Sequence, residues 1–126
     1  MRIGIIDDSE ADRLITRRVI LRAIPDATVR EFSCPVEALV SIKRGELPRL
    51  LFLDLHMPRM SGFEVLDRIP TASRCRVALL TSSGWGSDRE RAFRYPCVHA
   101  FIEKPLTKES LTDFVLGRSA ATSAAE

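Results

Sequence analysis

The sequence lacks most of the features that announce a function by themselves. It has one tryptophan, one tyrosine and two histidines in 126 residues. Its three cysteines, Cys34, Cys75 and Cys97, form no Cys-x-x-Cys pair and no metal-ligand spacing. That argues against a zinc module or a disulfide framework and for reduced thiols, the state a cytosolic protein keeps. No run approaches the roughly 20 apolar residues that a membrane span needs. The start, Met1-Arg2-Ile3-Gly4-Ile5-Ile6-Asp7-Asp8, turns acidic too soon for a signal peptide. A cytoplasmic location is therefore expected. Neither charge dominates, with 19 Lys and Arg against 17 Asp and Glu and a net charge of +2. A balance that close carries no nucleic-acid or membrane-surface signature.

What is present is an ordinary globular composition, 45% hydrophobic and 29% charged. A chain of this length makes one domain, able to bury roughly two-thirds of its unfolded surface. The apolar runs are short. Residues Ile3–Ile6, Leu50–Leu53, Val77–Leu80 and Ala100–Ile102 are nearly all apolar, as strands buried on both faces should be. Thr28–Phe32 alternates, which suits an edge strand. Between them lie segments with helical spacing: Ser9–Ile24, Pro35–Lys43, Gly62–Ile69, Ser87–Tyr95 and Thr107–Leu116. Ser9 and Asp12 form a capping-box pattern, and Pro35 stands in a first helical turn. Alternating strands and helices predict an α/β fold, an open parallel sheet with helices on both faces. The domain is expected to span residues 1–118, with Ser119–Glu126 as a flexible tail.

In such a sheet, ligands bind outside the carboxyl ends of the strands. The first strand ends in Asp7-Asp8 and the third in Asp54. The fourth ends in Thr81-Ser82-Ser83, and the last leads through Glu103 to Lys104-Pro105. Three carboxylates, hydroxyls and one ammonium would share one edge. Two like charges about 4 Å apart cost about 4 kcal/mol at an effective dielectric near 20. Compensation must come from raised carboxyl pKa values, from Lys104 or from a metal ion. Hard oxygen donors suit Mg²⁺ completed by phosphate oxygens. Thr81 and Lys104 are the donors a phosphoryl group would need, and one carboxylate could itself attack phosphorus. Taken singly, an Asp or Ser after a strand is as well explained as a helix cap. Four successive strand ends of this kind are not.

These residues resemble the receiver domains of two-component response regulators. The motifs are Asp7-Asp8, Asp54-Leu55-His56-Met57-Pro58-Arg59-Met60-Ser61-Gly62, Thr81 and Lys104-Pro105, and the resemblance covers about residues 2–117. It implies a flavodoxin-like (βα)5 fold with strand order 2-1-3-4-5. It implies Asp54 as phosphoacceptor from a phosphohistidine, with Mg²⁺ held by Asp8, Asp54 and the backbone carbonyl of His56, and by Asp7 through water. Thr81 and Lys104 would contact the phosphoryl oxygens, and the Lys104–Pro105 bond would be cis. Phe101 would follow Thr81 as the switching aromatic. The side chains of His56 and Ser83 would tune how fast the phosphoryl group is lost.

The resemblance also implies partners: a histidine kinase or histidine phosphotransfer protein, and a downstream protein on the surface of the fourth helix, fifth strand and fifth helix. No output module is expected after residue 117, so the protein reads as a stand-alone regulator or phosphoryl relay, monomeric or weakly dimeric. It would catalyse only its own phosphorylation and dephosphorylation. Two other readings stand beside this one, a phosphorylation-independent adaptor and a small Mg²⁺-dependent phosphohydrolase with an aspartyl nucleophile. The second favours Asp-x-Asp after the first strand, which is absent.

Four further features remain, two of them with two readings. Trp85, between two glycines, is either an exposed partner anchor or folded back. Arg89, Arg91 and Arg94 form a solvated helix face or meet an acidic partner. Met57 and Met60 are read as packing, and His99 as a surface residue.

Overall fold

The computed structural model describes residues 1–82 and 86–118. Trp85, Ser83 and the tail from Ser119 lie outside them. Five strands alternate with five helices: β1 (Arg2–Ile6), α1 (Glu10–Ala23), β2 (Thr28–Phe32), α2 (Pro35–Lys43), β3 (Leu50–Asp54), α3 (Gly62–Leu66), β4 (Arg76–Thr81), α4 (Ser87–Ala92), β5 (Val98–Glu103) and α5 (Lys108–Val115). The strands form one parallel sheet in the order β2-β1-β3-β4-β5. The α/β class and the strand order are as expected. Thr28–Phe32 is an edge strand, with no residue fully buried. None of the described helices is long and apolar enough to cross a membrane.

Side chains of a strand alternate between faces, and here both faces are covered. Leu51, Leu53, Val77, Leu79 and Phe101 pack with Ala38, Phe63, Val65, Leu66 and Ala92 from α2, α3 and α4. Ile3, Ile5, Leu50, Phe52, Ala78, Leu80, Ala100 and Ile102 pack with Ile20, Leu111 and Phe114 from α1 and α5. Phe52 and Phe114 meet edge to face at 5.3 Å. This two-sided burial is why β3 is buried at all five positions and reads as a continuous apolar run.

Helix ends depart from expectation in a consistent way. α3 stops at Leu66 and α4 at Ala92, each three residues before the predicted limit. The residues beyond are tightened turns. The amides of Arg68 and Ile69 bond to the carbonyls of Val65 and Leu66, and those of Arg94 and Tyr95 to Arg91 and Ala92. A proline follows each turn, at Pro70 and Pro96, and the residue before a proline is disfavoured in the α region.

The predicted capping box of α1 is half formed. Ser9 Oγ accepts the Asp12 amide at 3.2 Å, but the Ser9 amide donates to Asp7 Oδ1 at 2.9 Å. A complete box, not foreseen, joins Ser61 and Glu64 at the start of α3. Thr107 and Ser110 form another at α5.

Gly62 fixes where α3 begins. A Cβ there would stand 2.9 Å from the Asp54 carbonyl oxygen and 3.0 Å from the Leu55 Cα, both backbone atoms that cannot swing aside. The Gly62 amide donates to the Leu55 carbonyl at 2.8 Å. Substitution Gly62→Ala should force α3 off the end of β3 and destabilise the fold by about 1–3 kcal/mol, the usual cost of overpacking. A lowered urea midpoint measures this; an unchanged midpoint would contradict the close approach.

Candidate functional site

Parallel register brings the site together. Ile6 of β1 pairs with Leu53 of β3, so Asp7 and Asp54 follow side by side. Asp54 in turn pairs with Leu80 of β4, and Thr81 pairs with Glu103 of β5. The Lys104 amide donates to the Thr81 carbonyl at 2.8 Å, which turns the chain over the same edge. The Lys104–Pro105 bond is cis. Asp7, Asp54 and Thr81 are buried, whereas Asp8 is exposed.

One carboxylate oxygen each from Asp7, Asp8 and Asp54 lies within 4.8 Å of the others. Asp7 Oδ1 takes the Ser9 amide, but its buried Oδ2 accepts no hydrogen bond among the described residues. The Lys104 ammonium stands 2.9 Å from that oxygen, 3.4 Å from Asp54 Oδ1 and 2.8 Å from Asp12 Oδ2. Of these three contacts, the one to Asp12 is a well-directed hydrogen bond. The His56 amide reaches Asp54 Oδ1 at 3.4 Å.

Burial, and then the neighbouring Asp7 charge, pushes the Asp54 carboxyl up to about 7, against the pull of Lys104. Burial would lower the Lys104 ammonium, yet its hydrogen bond to Asp12 and the nearby Asp7 and Asp54 carboxylates raise it. The donors are all hard oxygens, one is buried without a hydrogen bond, and Asp8 opens the cluster to solvent. That set fits a small hard dication that keeps several waters.

Every described strand-end residue singled out in the sequence lies on this edge. Ser83 lies outside the described residues. Phe101 is buried on the α2–α3–α4 side, opposite Leu79. His56 is exposed, and its Nε2 lies 3.4 Å from Asp88 Oδ2 of α4, a contact the sequence did not suggest. Met57 is buried and Met60 packs against the same cluster, as read.

The arginines of α4 are not simply a solvated face. Arg91 lies over the Phe63 ring at 3.9 Å and Arg89 over Phe93 at 5.1 Å. His99 is half-buried rather than on the surface, and burial, with the nearby Arg76, lowers its pKa. The residue that sequence reasoning missed is Asp12. The sequence pattern makes it a capping partner of Ser9 and holds no sign that Lys104, 92 residues away, claims its carboxylate.

The sequence matches the family described as Response regulator receiver domain over residues 3–116. It is similar to the Cyclic di-GMP phosphodiesterase response regulator RpfG of Xanthomonas campestris pv. campestris, 32% identical over 114 residues, covering 88% of this chain and 30% of that protein. It is also similar to the Chemotaxis protein CheY homolog of Campylobacter jejuni, 29% identical over 133 aligned positions and covering all of both chains. Among solved structures, a two-component response regulator from Cytophaga hutchinsonii superposes with a TM-score of 0.81 at 22% identity, covering 91% of this chain and 93% of that one. The chain thus spans under a third of the first relative and the whole of the second. With a match across nearly its full length and five parallel strands in the same layout, the chain belongs to the response regulator receiver domain family.

Proposed function

We propose that the protein is a phosphorylation-controlled switch in which Asp54 accepts a phosphoryl group from a phosphohistidine of a histidine kinase or phosphotransfer protein. The observation that carries this reading is the position of Asp54. It is a buried carboxylate at the end of β3, beside two further carboxylates and an ammonium. A carboxylate oxygen of Asp54 attacks phosphorus, the P–N bond to the donor imidazole breaks, and its electron pair returns to the ring nitrogen. Lys104 and the Thr81 hydroxyl meet phosphoryl oxygens as charge shifts.

Asp8, Asp54 and the His56 carbonyl would hold Mg²⁺, with Asp7 acting through water. When bound, the ion offsets negative charge on the carboxylates and the phosphoryl oxygens. His56 and Ser83 would set the lifetime of the acyl phosphate. The protein's own turnover would be confined to its phosphorylation and dephosphorylation.

The output is read as a population shift. Thr81 moves toward the phosphoryl group, Phe101 repacks beneath it, and the surface of α4, β5 and α5 changes shape for a downstream partner. The relatives' names run from chemotaxis to cyclic di-GMP phosphodiesterase, so the partner is left open. A draining or relay role uses the same site chemistry.

Incubation with acetyl phosphate and Mg²⁺ should add the mass of one phosphoryl group, or release phosphate continuously if turnover is fast. A chelator or Asp54→Asn should abolish both. Neither adduct nor phosphate release from the unaltered protein would exclude the reading.

The raised Asp54 carboxyl has a consequence for stability without divalent metal. The folded state holds that proton up to about 7, while the unfolded chain holds it only to 3.8. Between those values the fold binds more protons, so stability rises as pH falls. From pH 8 to pH 5 the protein should gain about 2 kcal/mol relative to Asp54→Asn. Paired urea titrations across that range measure it, and parallel stability profiles would refute it.

A further inference from the structure

Lys104 carries three N–H donors, and their distribution is uneven. The strongest interaction is not with the carboxylate proposed to react. Asp12 Oδ2, from the first turn of α1, takes a hydrogen bond at 2.8 Å. Asp54 Oδ1 stands off at 3.4 Å, too far for a charge-assisted bond of ordinary length. The Lys104 side chain is largely buried, with 15% of its surface exposed, and that of Asp12 is partly open at 37%. The pair is therefore only partly screened by solvent. The Asp12 carboxylate does not close the capping box, because the Ser9 amide is occupied by Asp7. Its carboxylate is left for Lys104. The next side chain is engaged elsewhere: the Arg13 guanidinium donates to the Asp7 carbonyl at 2.7 Å and pairs with Glu31 at 3.4 Å.

We propose that Asp12 is a positioning residue that draws the Lys104 ammonium toward α1 and away from Asp54, and so restrains how readily the site takes up a phosphoryl group. The proposal rests on Asp54 being the phosphoacceptor. An incoming phosphoryl oxygen must compete with Asp12 for Lys104, and it also meets the field of a fourth carboxylate. Removing that charge leaves the ammonium held by Asp7, 2.9 Å away, and able to shift toward Asp54. Asp12 touches neither reacting atom and acts only through Lys104.

The test uses beryllofluoride, an unreactive mimic of the phosphoryl group, with Mg²⁺, read by calorimetry, alongside the rate of adduct formation from acetyl phosphate. Asp12→Asn keeps the shape and removes the charge. It should bind beryllofluoride more tightly and form adduct faster, each by about three- to tenfold, the size expected for one partly screened charge. Asp12→Glu restores the charge and should return both values toward those of the unaltered protein. In a Lys104→Ala background, Asp12→Asn should change beryllofluoride affinity by less than about twofold, because the coupling runs through the ammonium. Thermal melts of each variant establish that it is folded, and Asp12→Ala serves in place of Asp12→Asn if that variant is not.

Unchanged or weaker binding in Asp12→Asn would overturn the proposal, as would equal effects of Asn and Glu or an effect that persists without Lys104. If the unaltered protein shows neither Mg²⁺-dependent beryllofluoride binding nor adduct, the phosphoacceptor reading itself fails and this inference falls with it.

Discussion

One ammonium among four carboxylates is the interaction on which this sheet edge depends. Asp7 and Asp54 are buried side by side, and Asp8 completes the cluster from the solvent side. Without an opposing charge, two buried carboxylates in adjacent strands would keep a proton or push the strands apart. Lys104 reaches Asp7, Asp12 and Asp54 at once. It can do so because β5 ends on the same edge and because its own amide is tied to the Thr81 carbonyl. The compensation is partial: burial, and then the Asp7 charge, hold the Asp54 carboxyl up at about 7 against the pull of Lys104. A site in that condition is receptive to additional positive charge.

The architecture makes this clustering unavoidable. In a parallel sheet every carboxyl end points the same way, and the register fixes which ends are neighbours. The helices then only need to start in the right place. Gly62 lets α3 begin against the backbone of Asp54 and Leu55, so the loop from His56 to Ser61 leaves and returns at the carboxyl end of β3. The box between Ser61 and Glu64 holds that starting point. At α1 the same role is split between Ser9 and Asp7, so the helix start and the acidic cluster share a residue.

Much of this was legible in the sequence because it is local. Ile3–Ile6 and Leu50–Leu53 mark strands buried on both faces, and the residue after each run falls at the sheet edge whatever the strand order. The order itself came from the resemblance to receiver domains, since alternation alone does not say which strands adjoin. Helix lengths were overread at Ile69 and Tyr95. Both residues sit in tightened turns that retain near-helical spacing before a proline. What could not be read was contact between distant segments. Asp12 looked like a cap because its nearest sequence partner was Ser9, and its claim on Lys104 exists only once the register is set. The approach of His56 to Asp88 and the seating of Arg91 on Phe63 are of the same kind.

The sheet also works as a bulkhead. Among the described residues its two hydrophobic layers share no side chain. Phe101 lies in the layer with α2, α3 and α4, while the contact between Phe52 and Phe114 lies across the sheet beneath α1 and α5. β5, which carries Phe101, touches α4 on one face and α5 on the other, so a change at Phe101 bears on α4 directly and on α5 only through the strand. The fold thus has two compartments with one partition, and β5 is the stretch of that partition with a helix of the proposed output surface on each side.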